Sequence, residues 1–368
     1  MTQHLKNIKI KGFKSIAELD LAMEDINILI GANGAGKTNF ISVFTFLHQL
    51  YNGKLTQYIK TQGGAERFFH FSTKQTEMIV LDLEVSANGY HVEFLQNVND
   101  DSLVFNTEYC TFEESYRSFQ LYPQRGESGF LSEYADSGYV KEYTEKFLKE
   151  CRVYHFHDTS DQAQFKKTKE LTRYAYLEKD AANIAPFLYH LKTSPADSYK
   201  QAYKKIVSVI QSIAPFFHDF YLEPYGEEGN QSILLRWTHT ESDIPFSANT
   251  LSDGTARFIC LATLFLQPPN LRPSTIIIDE PELGLHPAAL NTLADIIHAI
   301  SQETQVICST QSIAFANLFA ASKFIVVDAE VGVSSFRRLE KEQIEDWLEE
   351  YGVGDIWSKN IIGGRPAW

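Results

Sequence analysis

The first 50 residues carry two kinds of hydrophobic pattern in succession. Between positions 8 and 21 apolar and polar residues alternate, which is the period of a β-strand with one buried face. Positions 26–30 form a nearly continuous apolar run, which predicts a buried strand ending at a glycine-rich turn. After the turn, apolar residues recur at helical spacing: Phe40, Ile41, Phe44, Leu47 and Leu50.

Further β-structure is predicted as far as residue 112. Positions 78–85 and 90–95 indicate two strands joined near Asn88-Gly89, a pair that favours tight hairpin turns. Two more β-like segments follow, at 103–105 and 108–112. An antiparallel β subdomain is the expected result.

The pattern changes between about residues 113 and 245. This stretch is rich in Tyr, Phe, Lys and Glu, and helical spacing returns at 139–151, 181–192 and 198–214. We interpret it as a mostly helical insertion.

Strands and helices alternate again from residue 251. Apolar strands are expected at 275–278, 305–308 and 324–327, and such alternation is typical of a parallel sheet covered on both faces. An acidic helix is expected near 341–350, followed by an irregular tail. The predicted fold class is therefore α/β, with a mostly parallel sheet, an antiparallel β subdomain and the insertion.

Composition places the chain among ordinary globular proteins, with 44% hydrophobic and 22% charged residues. No apolar run approaches the roughly 18 residues that a membrane span requires, and residues 1–6 lack the apolar stretch of a secretory signal. A cytoplasmic protein without membrane association is expected. Free buried thiols are predicted for the cysteines, which are far apart in sequence: Cys110, Cys151, Cys260 and Cys308.

The net charge of −14 argues against a uniformly basic nucleic-acid binder. Basic residues nevertheless cluster at 6–14 and at 166–173, where a solvated face of a strand or helix is the simpler interpretation.

Residues 31–38, Gly-Ala-Asn-Gly-Ala-Gly-Lys-Thr, match the phosphate-binding pattern G-x4-G-K-[ST] between the buried strand and the amphipathic helix. Glycines let consecutive backbone N–H groups surround phosphate oxygens, and the helix N-terminus adds partial positive charge. Lys37 is expected to reach the β- and γ-phosphates and Thr38 to ligate Mg²⁺. The predicted nucleotide-binding residues of this segment are Asn33, Gly34, Ala35, Gly36, Lys37, Thr38 and Asn39.

The strand at 275–278 ends in two carboxylates, Asp279 and Glu280. Parallel strands present their carboxyl ends to the ligand crevice, so Asp279 is expected beside the Mg²⁺ ion. Glu280 points elsewhere and could orient or deprotonate the attacking water.

Three further segments identify the kind of nucleotide-binding protein. Residues 251–255, Leu-Ser-Asp-Gly-Thr, open an apolar helix and resemble the LSGGQ signature of ABC ATPases. Residues 281–287 follow the acidic pair and resemble the D-loop of that family. Residues 309–312 end the next strand, where the family has its switch residue.

The chain more narrowly resembles the AAA-15/AAA-21 group of bacterial ATPases, related to RecF, SMC and OLD proteins. The resemblance rests on 10–15, 34–40, 251–255, 279–287 and the Gly-Gly-Arg-Pro tail at 363–366. It implies an N-terminal lobe (1–112), the insertion (113–245), a C-terminal lobe with signature, acidic strand, D-loop and switch (246–338), and a terminal helix and tail (339–368).

The resemblance also implies ATP and Mg²⁺ as cofactors, with each ATP held between the phosphate loop of one subunit and the signature of another. Ser252, Asp253 and Gly254 would then contact the nucleotide bound by a second copy, and Lys14 of the opening motif is a further nucleotide contact. Glu280, Lys37 and Gln311 are the predicted catalytic residues.

Two departures from the family pattern matter. Asp253 replaces a glycine of transporter signatures, and Gln311 replaces the switch histidine, so a proton-shuttling role there is in doubt. Gln62 is the candidate Q-loop residue and metal ligand, with an ordinary surface glutamine as the equal alternative.

An ATPase switch that controls a separately encoded effector, a nuclease in anti-phage defence, is the function that the resemblance implies. A DNA-binding ATPase of RecF or SMC type in DNA maintenance is the alternative, and a transporter subunit is the third possibility. His155 and His157 would share one face of a strand, but a structural role is favoured over a metal site.

Overall fold

The computed structural model describes residues 3–112, 117–123, 126–131 and 139–364. These residues form two compact units. Unit 1 comprises the described residues up to 153, together with 274–279 and 304–364, and unit 2 comprises 154–273 and 280–303. The domain boundaries expected from the sequence stay a prediction.

The strands, in chain order, are β1 Leu5–Phe13, β2 Ile16–Ala22, β3 Ile26–Gly31, β4 Ile79–Val85, β5 Asn88–Asn97, β6 Ser102–Phe112, β7 Arg117–Gln120, β8 Val153–Tyr154, β9 Lys169–Glu170, β10 Phe217–Tyr221, β11 Ser232–Ile233, β12 Arg236–His239, β13 Ser242–Ser247, β14 Thr275–Asp279, β15 Gln305–Ser309, β16 Phe324–Glu330 and β17 Val333–Arg338. The helices are α1 Lys37–Tyr51, α2 Leu55–Thr61, α3 Tyr139–Glu150, α4 Ile184–Thr193, α5 Asp197–Ile213, α6 Asp253–Leu266, α7 Pro287–Ile300, α8 Ile313–Ala316, α9 Glu345–Leu348 and α10 Val353–Ser358.

Unit 1 contains an antiparallel sheet with the strand order β2-β1-β4-β5-β6-β7. Its alternating sequence pattern has the expected effect, because Ile8 and Ile10 of β1 are buried while Lys9 and Lys11 are exposed. Ile10 lies opposite Leu19 on one neighbouring strand and Leu81 on the other. The predicted antiparallel β subdomain is confirmed.

The second sheet of unit 1 has the order β17-β16-β3-β15-β14-β8. β16, β3, β15 and β14 run parallel, and β17 is antiparallel to β16. All six residues of β3 are buried, as the apolar run predicted. Asp279 pairs with Ser309, Ser309 with Leu29, and Gly31 with Val327, so four parallel strands end at one edge of the sheet.

Unit 2 has α4, α5, α6 and α7 packed together and two small antiparallel sheets, β10-β12-β13 and β9-β11. Residues 256–266 of α6 are buried, which makes it the central helix of this unit. The helices predicted at 139–151, 181–192 and 198–214 are confirmed as α3, α4 and α5, and short strands accompany them between 113 and 245.

The C-terminal region is more regular than the sequence pattern indicated. The acidic helix expected near 341–350 is a 3-10 turn at Lys341–Gln343 followed by α9. The segment expected to be irregular contains α10, whose Ile356 and Trp357 are buried. Arg365 and Pro366 of the tail motif lie outside the described residues.

Candidate functional site

The phosphate loop, residues 31–38, connects β3 to α1 at the carboxyl edge of the parallel sheet. Gly34 (φ 81°) and Gly36 (φ 117°) adopt backbone conformations that other residues rarely adopt, and Gly36 is the N-cap of α1. The Lys37 side chain is buried, and its ammonium donates to the carbonyl oxygens of Gly31 (2.6 Å) and Ala32 (3.0 Å). A loop of this shape, with a buried cation at a helix N-terminus, is suited to an anionic phosphate group.

Two serines support the phosphate loop from outside: Ser15, the last residue of the opening motif, and Ser334, which no motif indicated. The Ser334 hydroxyl donates to the Ala35 carbonyl (2.6 Å) and lies within hydrogen-bond distance of the Ser15 hydroxyl (2.7 Å), and the Asn39 amide donates to Ser15 (2.7 Å). A Cβ on Gly36 would lie 2.1 Å from the Ser334 hydroxyl oxygen. The assignment of Asn39 as a nucleotide contact stays a prediction.

Replacing Gly36 with alanine is expected to lower the free energy of unfolding by about 3 kcal/mol, because the methyl group combines backbone strain with overlap of Ser334. Gly34→Ala is the matched control: it also requires positive φ, but its Cβ would meet no atom within 4 Å. That variant should lose only about 1 kcal/mol. Denaturant unfolding measures both, and equal losses would contradict the tight contact at Gly36.

The acidic end of β14 lies on the same edge of the sheet. The Ser309 hydroxyl donates to the Asp279 carboxylate across the β14–β15 pair. The next residue, Thr310, is buried, and its backbone N–H donates to the carbonyl of Leu29 on β3. One strand therefore separates Asp279 from the strand that carries the phosphate loop, and Gln311 follows as an exposed residue.

Glu280 is one of the non-glycine residues with positive φ, at 45°. Strained backbone of this kind concentrates at functional sites, where the fold fixes a side-chain direction that an ordinary conformation would not give. Its carbonyl accepts from the N–H of Leu283, an exposed residue of the D-loop. The role of Glu280 as the catalytic base stays a prediction.

The signature segment, residues 251–255, forms the N-terminus of α6 in unit 2. Ser252 is the N-cap, and its hydroxyl accepts from the Thr255 N–H (3.3 Å) and contacts the Thr255 hydroxyl (2.9 Å). Ser252 and Asp253 are exposed, whereas Leu251 is buried. Hydroxyl, backbone N–H groups and helix dipole are thus presented to solvent together.

Arg257, one turn further along α6, joins the signature segment to the D-loop. Its guanidinium is buried and donates to the carbonyls of Leu283, Phe156 (2.8 Å) and His157 (3.0 Å). Burial lowers the pKa of Arg257. A Cβ on Gly254 would lie 2.7 Å from the Gly284 carbonyl oxygen, so the two segments also touch directly. These contacts hold the signature segment and the D-loop together within unit 2.

We expect Arg257→Ala to lower the free energy of unfolding by about 3 kcal/mol, because three carbonyl acceptors lose their donor. The exposed Arg173, which pairs with Glu178 at 2.6 Å in the same unit, is the matched control, and Arg173→Ala should cost less than about 1 kcal/mol. Thermal or denaturant unfolding of both variants checks this, and similar losses would show that Arg257 has no special role.

Two other predicted site residues, Lys14 and Gln62, lie outside the phosphate loop. The Lys14 ammonium donates to the Ser42 hydroxyl of α1 (2.8 Å) and lies 5.4 and 5.3 Å from the ring centroids of Phe13 and Phe68. Burial lowers the pKa of Lys14. Gln62 is the exposed C-cap of α2. Their assignments as nucleotide and metal contacts stay predictions.

His155 and His157 are both exposed, with ring centroids 6.0 Å apart. Within the part of the chain that the structure describes, no group of three or more His, Cys, Asp or Glu residues is arranged to hold a metal ion. No helix there is both long and apolar enough to cross a bilayer. All four cysteines are buried and unbonded to one another, as expected.

The residues of unit 1 fit a nucleotide with its magnesium ion. The loop supplies backbone N–H groups and a buried ammonium, and a hydroxyl (Thr38) and a carboxylate (Asp279) are the oxygen ligands that Mg²⁺ prefers. A phosphate loop between β3 and α1, with an acidic strand end on the same edge of a mostly parallel sheet, is the arrangement of a P-loop ATPase head.

The family follows from comparison with known proteins. The AAA_21 family, described as "AAA domain, putative AbiEii toxin, Type IV TA system", matches residues 26–317, and the chain belongs to this family. An OLD nuclease from Thermus scotoductus is 22% identical over 373 residues, which cover 95% of this chain and 67% of that protein. The predicted membership of the AAA-21, OLD and SMC-like group is confirmed.

Two solved structures show the same fold. An SMC head bound to the C-terminal winged-helix domain of ScpA is 16% identical with a TM-score of 0.54, covering 93% of this chain and 99% of that one. An SMC head with an extended coiled coil, bound to the C-terminal domain of ScpA derived from Pyrococcus furiosus, is 15% identical with a TM-score of 0.52, covering 95% and 99%.

Proposed function

We propose that this chain binds ATP with Mg²⁺ and hydrolyses it. The observation that carries the proposal is the convergence of Gly31, Asp279 and Ser309 at one edge of the parallel sheet, with the buried Lys37 ammonium on the loop that follows Gly31. An edge of this kind is where parallel sheets bind nucleotides.

Each residue has a separate task in the proposed reaction. Lys37 offsets the negative charge of the phosphates, while Thr38 and Asp279 hold the magnesium ion, which supplies further charge neutralisation when bound. Glu280 accepts a proton from the attacking water. Gln311 can donate a hydrogen bond to the γ-phosphate but, being an amide, does not take up a proton.

The exposed signature segment supports an ATP site completed by a second copy. Ser252, Asp253 and Gly254 present an N-terminal helix cap that accepts an anion, and Arg257 holds this cap against the D-loop. In the proposed homodimer each cap contacts the nucleotide bound by its partner. ATP then holds the dimer together, and hydrolysis releases it.

Because the proposed site needs two copies of the chain, turnover per molecule is predicted to depend on protein concentration. Phosphate release per molecule should rise with concentration and reach a plateau once the dimer is saturated, because a single copy lacks half of the site. The measurement is steady-state phosphate release over a hundredfold dilution series, roughly spanning the association range. Turnover per molecule that stays constant on dilution would refute the shared site.

We further propose that the dimer controls a separately encoded effector of nuclease type in anti-phage defence. The support is the relationship to an OLD nuclease. The net charge of −14 favours a protein partner over direct DNA binding.

Mobility shift of duplex DNA separates the two versions. A protein partner predicts no ATP-dependent shift by the isolated chain. An ATP-dependent shift that weakens steeply with added salt would replace this proposal by a RecF-like or SMC-like DNA-acting ATPase.

A further inference from the structure

Residues 352–364, the C-terminal strap, pack against the rest of unit 1 at two separate places. They include α10 and the two glycines of the tail motif, none of which has a task in the proposed reaction. The strap belongs to the same unit as the phosphate loop and the switch segment.

The first attachment is to Asn317, the C-cap of the short helix that follows the switch residue in sequence. Asn317 follows α8, which begins after Ser312 and therefore two residues after Gln311. The Asn317 side-chain oxygen accepts from the N–H groups of Gly354 (2.7 Å) and Asp355 (3.2 Å), and its amide donates to the Asp355 carboxylate (2.9 Å). One side chain thus caps the start of α10.

The second attachment is to the phosphate loop and its neighbouring strand. The Gly364 N–H donates to the Asp328 carboxylate of β16 (2.6 Å), and its carbonyl accepts from the Trp357 indole N–H (3.3 Å). Asp328 follows Val327, which pairs with Gly31. A Cβ on Gly364 would lie 3.3 Å from the Gly31 Cα, so the strap packs against the first residue of the phosphate loop.

The strap therefore connects Asn317, which lies six residues after Gln311 in sequence, with Gly31, the first residue of the phosphate loop. Between these points it is well packed, since Ile356, Trp357 and Ile362 are buried and Arg337 donates to the Ile362 carbonyl. A packed element that touches both sides of a site transmits displacement from one to the other, because close-packed interiors deform little.

We propose that the C-terminal strap is a positioning segment for nucleotide binding: it fixes Gly31 of the phosphate loop relative to the switch residue Gln311. The inference rests on the proposed ATP site and adds a linkage to it. Nucleotide binding stabilises the docked strap, and by reciprocity the docked strap strengthens nucleotide binding. A tail that only covers apolar surface would contribute to stability without this linkage.

Amide hydrogen exchange tests the linkage in the unaltered chain. Adding a non-hydrolysable ATP analogue with Mg²⁺ should slow exchange of the Gly354 and Gly364 amides, both of which are donated to side chains of unit 1. The exchange of β5 in the antiparallel sheet is the internal reference. Unchanged strap exchange at saturating analogue would overturn the inference.

Variants that release both attachments test the reciprocal effect. The double variant Asp328→Ala, Asn317→Ala should bind the analogue about tenfold more weakly than wild type, because the competent loop geometry is populated less often. The single variant Asp328→Asn keeps a side-chain oxygen that can accept from the Gly364 N–H. Its affinity for the analogue should therefore be close to that of wild type. Lys359→Ala is the matched control on the strap, since its ammonium lies over the Tyr351 ring, 4.8 Å from the centroid.

The outcomes separate this inference from the proposed function. Wild-type protein that binds no analogue overturns both. Wild type that binds, together with a folded double variant of equal affinity, overturns the linkage alone. If the double variant fails to fold, Asp328→Ala by itself is compared with Asp328→Asn, and equal affinity of that pair contradicts the strap's role at the phosphate loop.

Discussion

Lys37→Ala should abolish measurable ATP binding, with affinity reduced about a hundredfold or more. The ammonium is the buried cation of the phosphate loop, held by the carbonyl oxygens of Gly31 and Ala32 at the start of α1. Without it, the loop offers backbone N–H groups but no full positive charge to the β- and γ-phosphates. Titration calorimetry with ATP and Mg²⁺ measures the loss directly.

The control for this variant is Lys11→Ala, which removes an exposed ammonium from the antiparallel sheet and should leave affinity unchanged. Circular dichroism establishes that both variants fold. ATP affinity of Lys37→Ala within about threefold of wild type would remove the phosphate loop from the proposed site.

Glu280→Gln should bind ATP normally but hydrolyse it about 10²- to 10⁴-fold more slowly. The amide matches the carboxylate in shape, so the backbone at φ 45° and the turn to Leu283 are retained while the proton acceptor is lost. Single-turnover phosphate release with ATP in the site measures the chemical step. Because hydrolysis is what releases the dimer, the ATP-bound form should also accumulate.

Glu303→Gln provides the comparison, since that carboxylate is largely exposed and pairs with Arg272 (2.7 Å). Its turnover should equal that of wild type. If Glu280→Gln hydrolysed ATP within about twofold of wild type, another group would have to be the base.

The elements that could be predicted from sequence are those encoded by contiguous residues. The apolar run of β3, the glycines after it and the helical spacing of α1 are local signals, and the structure has all three in place. The predicted edge with Asp279 and the phosphate loop needed only one added rule, that parallel strands end together.

The residues that were missed act over long separations in sequence. Ser334 reaches Ala35 across 299 positions, and Arg257 reaches the carbonyls of Phe156 and His157 across about a hundred. No period or motif records such contacts, because they depend on which strands become neighbours. Only the arginine's place one turn after the signature serine could have drawn attention to it.

The C-terminal strap was missed for a different reason. Glycines in a short segment after a charged helix are typical of an irregular tail. Here Gly364 instead permits close approach to Gly31, and buried Trp357 is held by its carbonyl. Local composition does not distinguish a glycine that loosens a chain from one that lets it pack closely.

The mass of the ATP-loaded Glu280→Gln protein in solution tests the shared site most directly. With ATP and Mg²⁺ its particle should have twice the chain mass of 41.9 kDa, and without nucleotide it should return to 41.9 kDa. Adding Ser252→Arg, which blocks the exposed cap of α6, should keep the ATP-bound protein at 41.9 kDa. A 41.9 kDa particle of Glu280→Gln that carries a full equivalent of ATP, or a dimer indifferent to Ser252→Arg, would contradict the account.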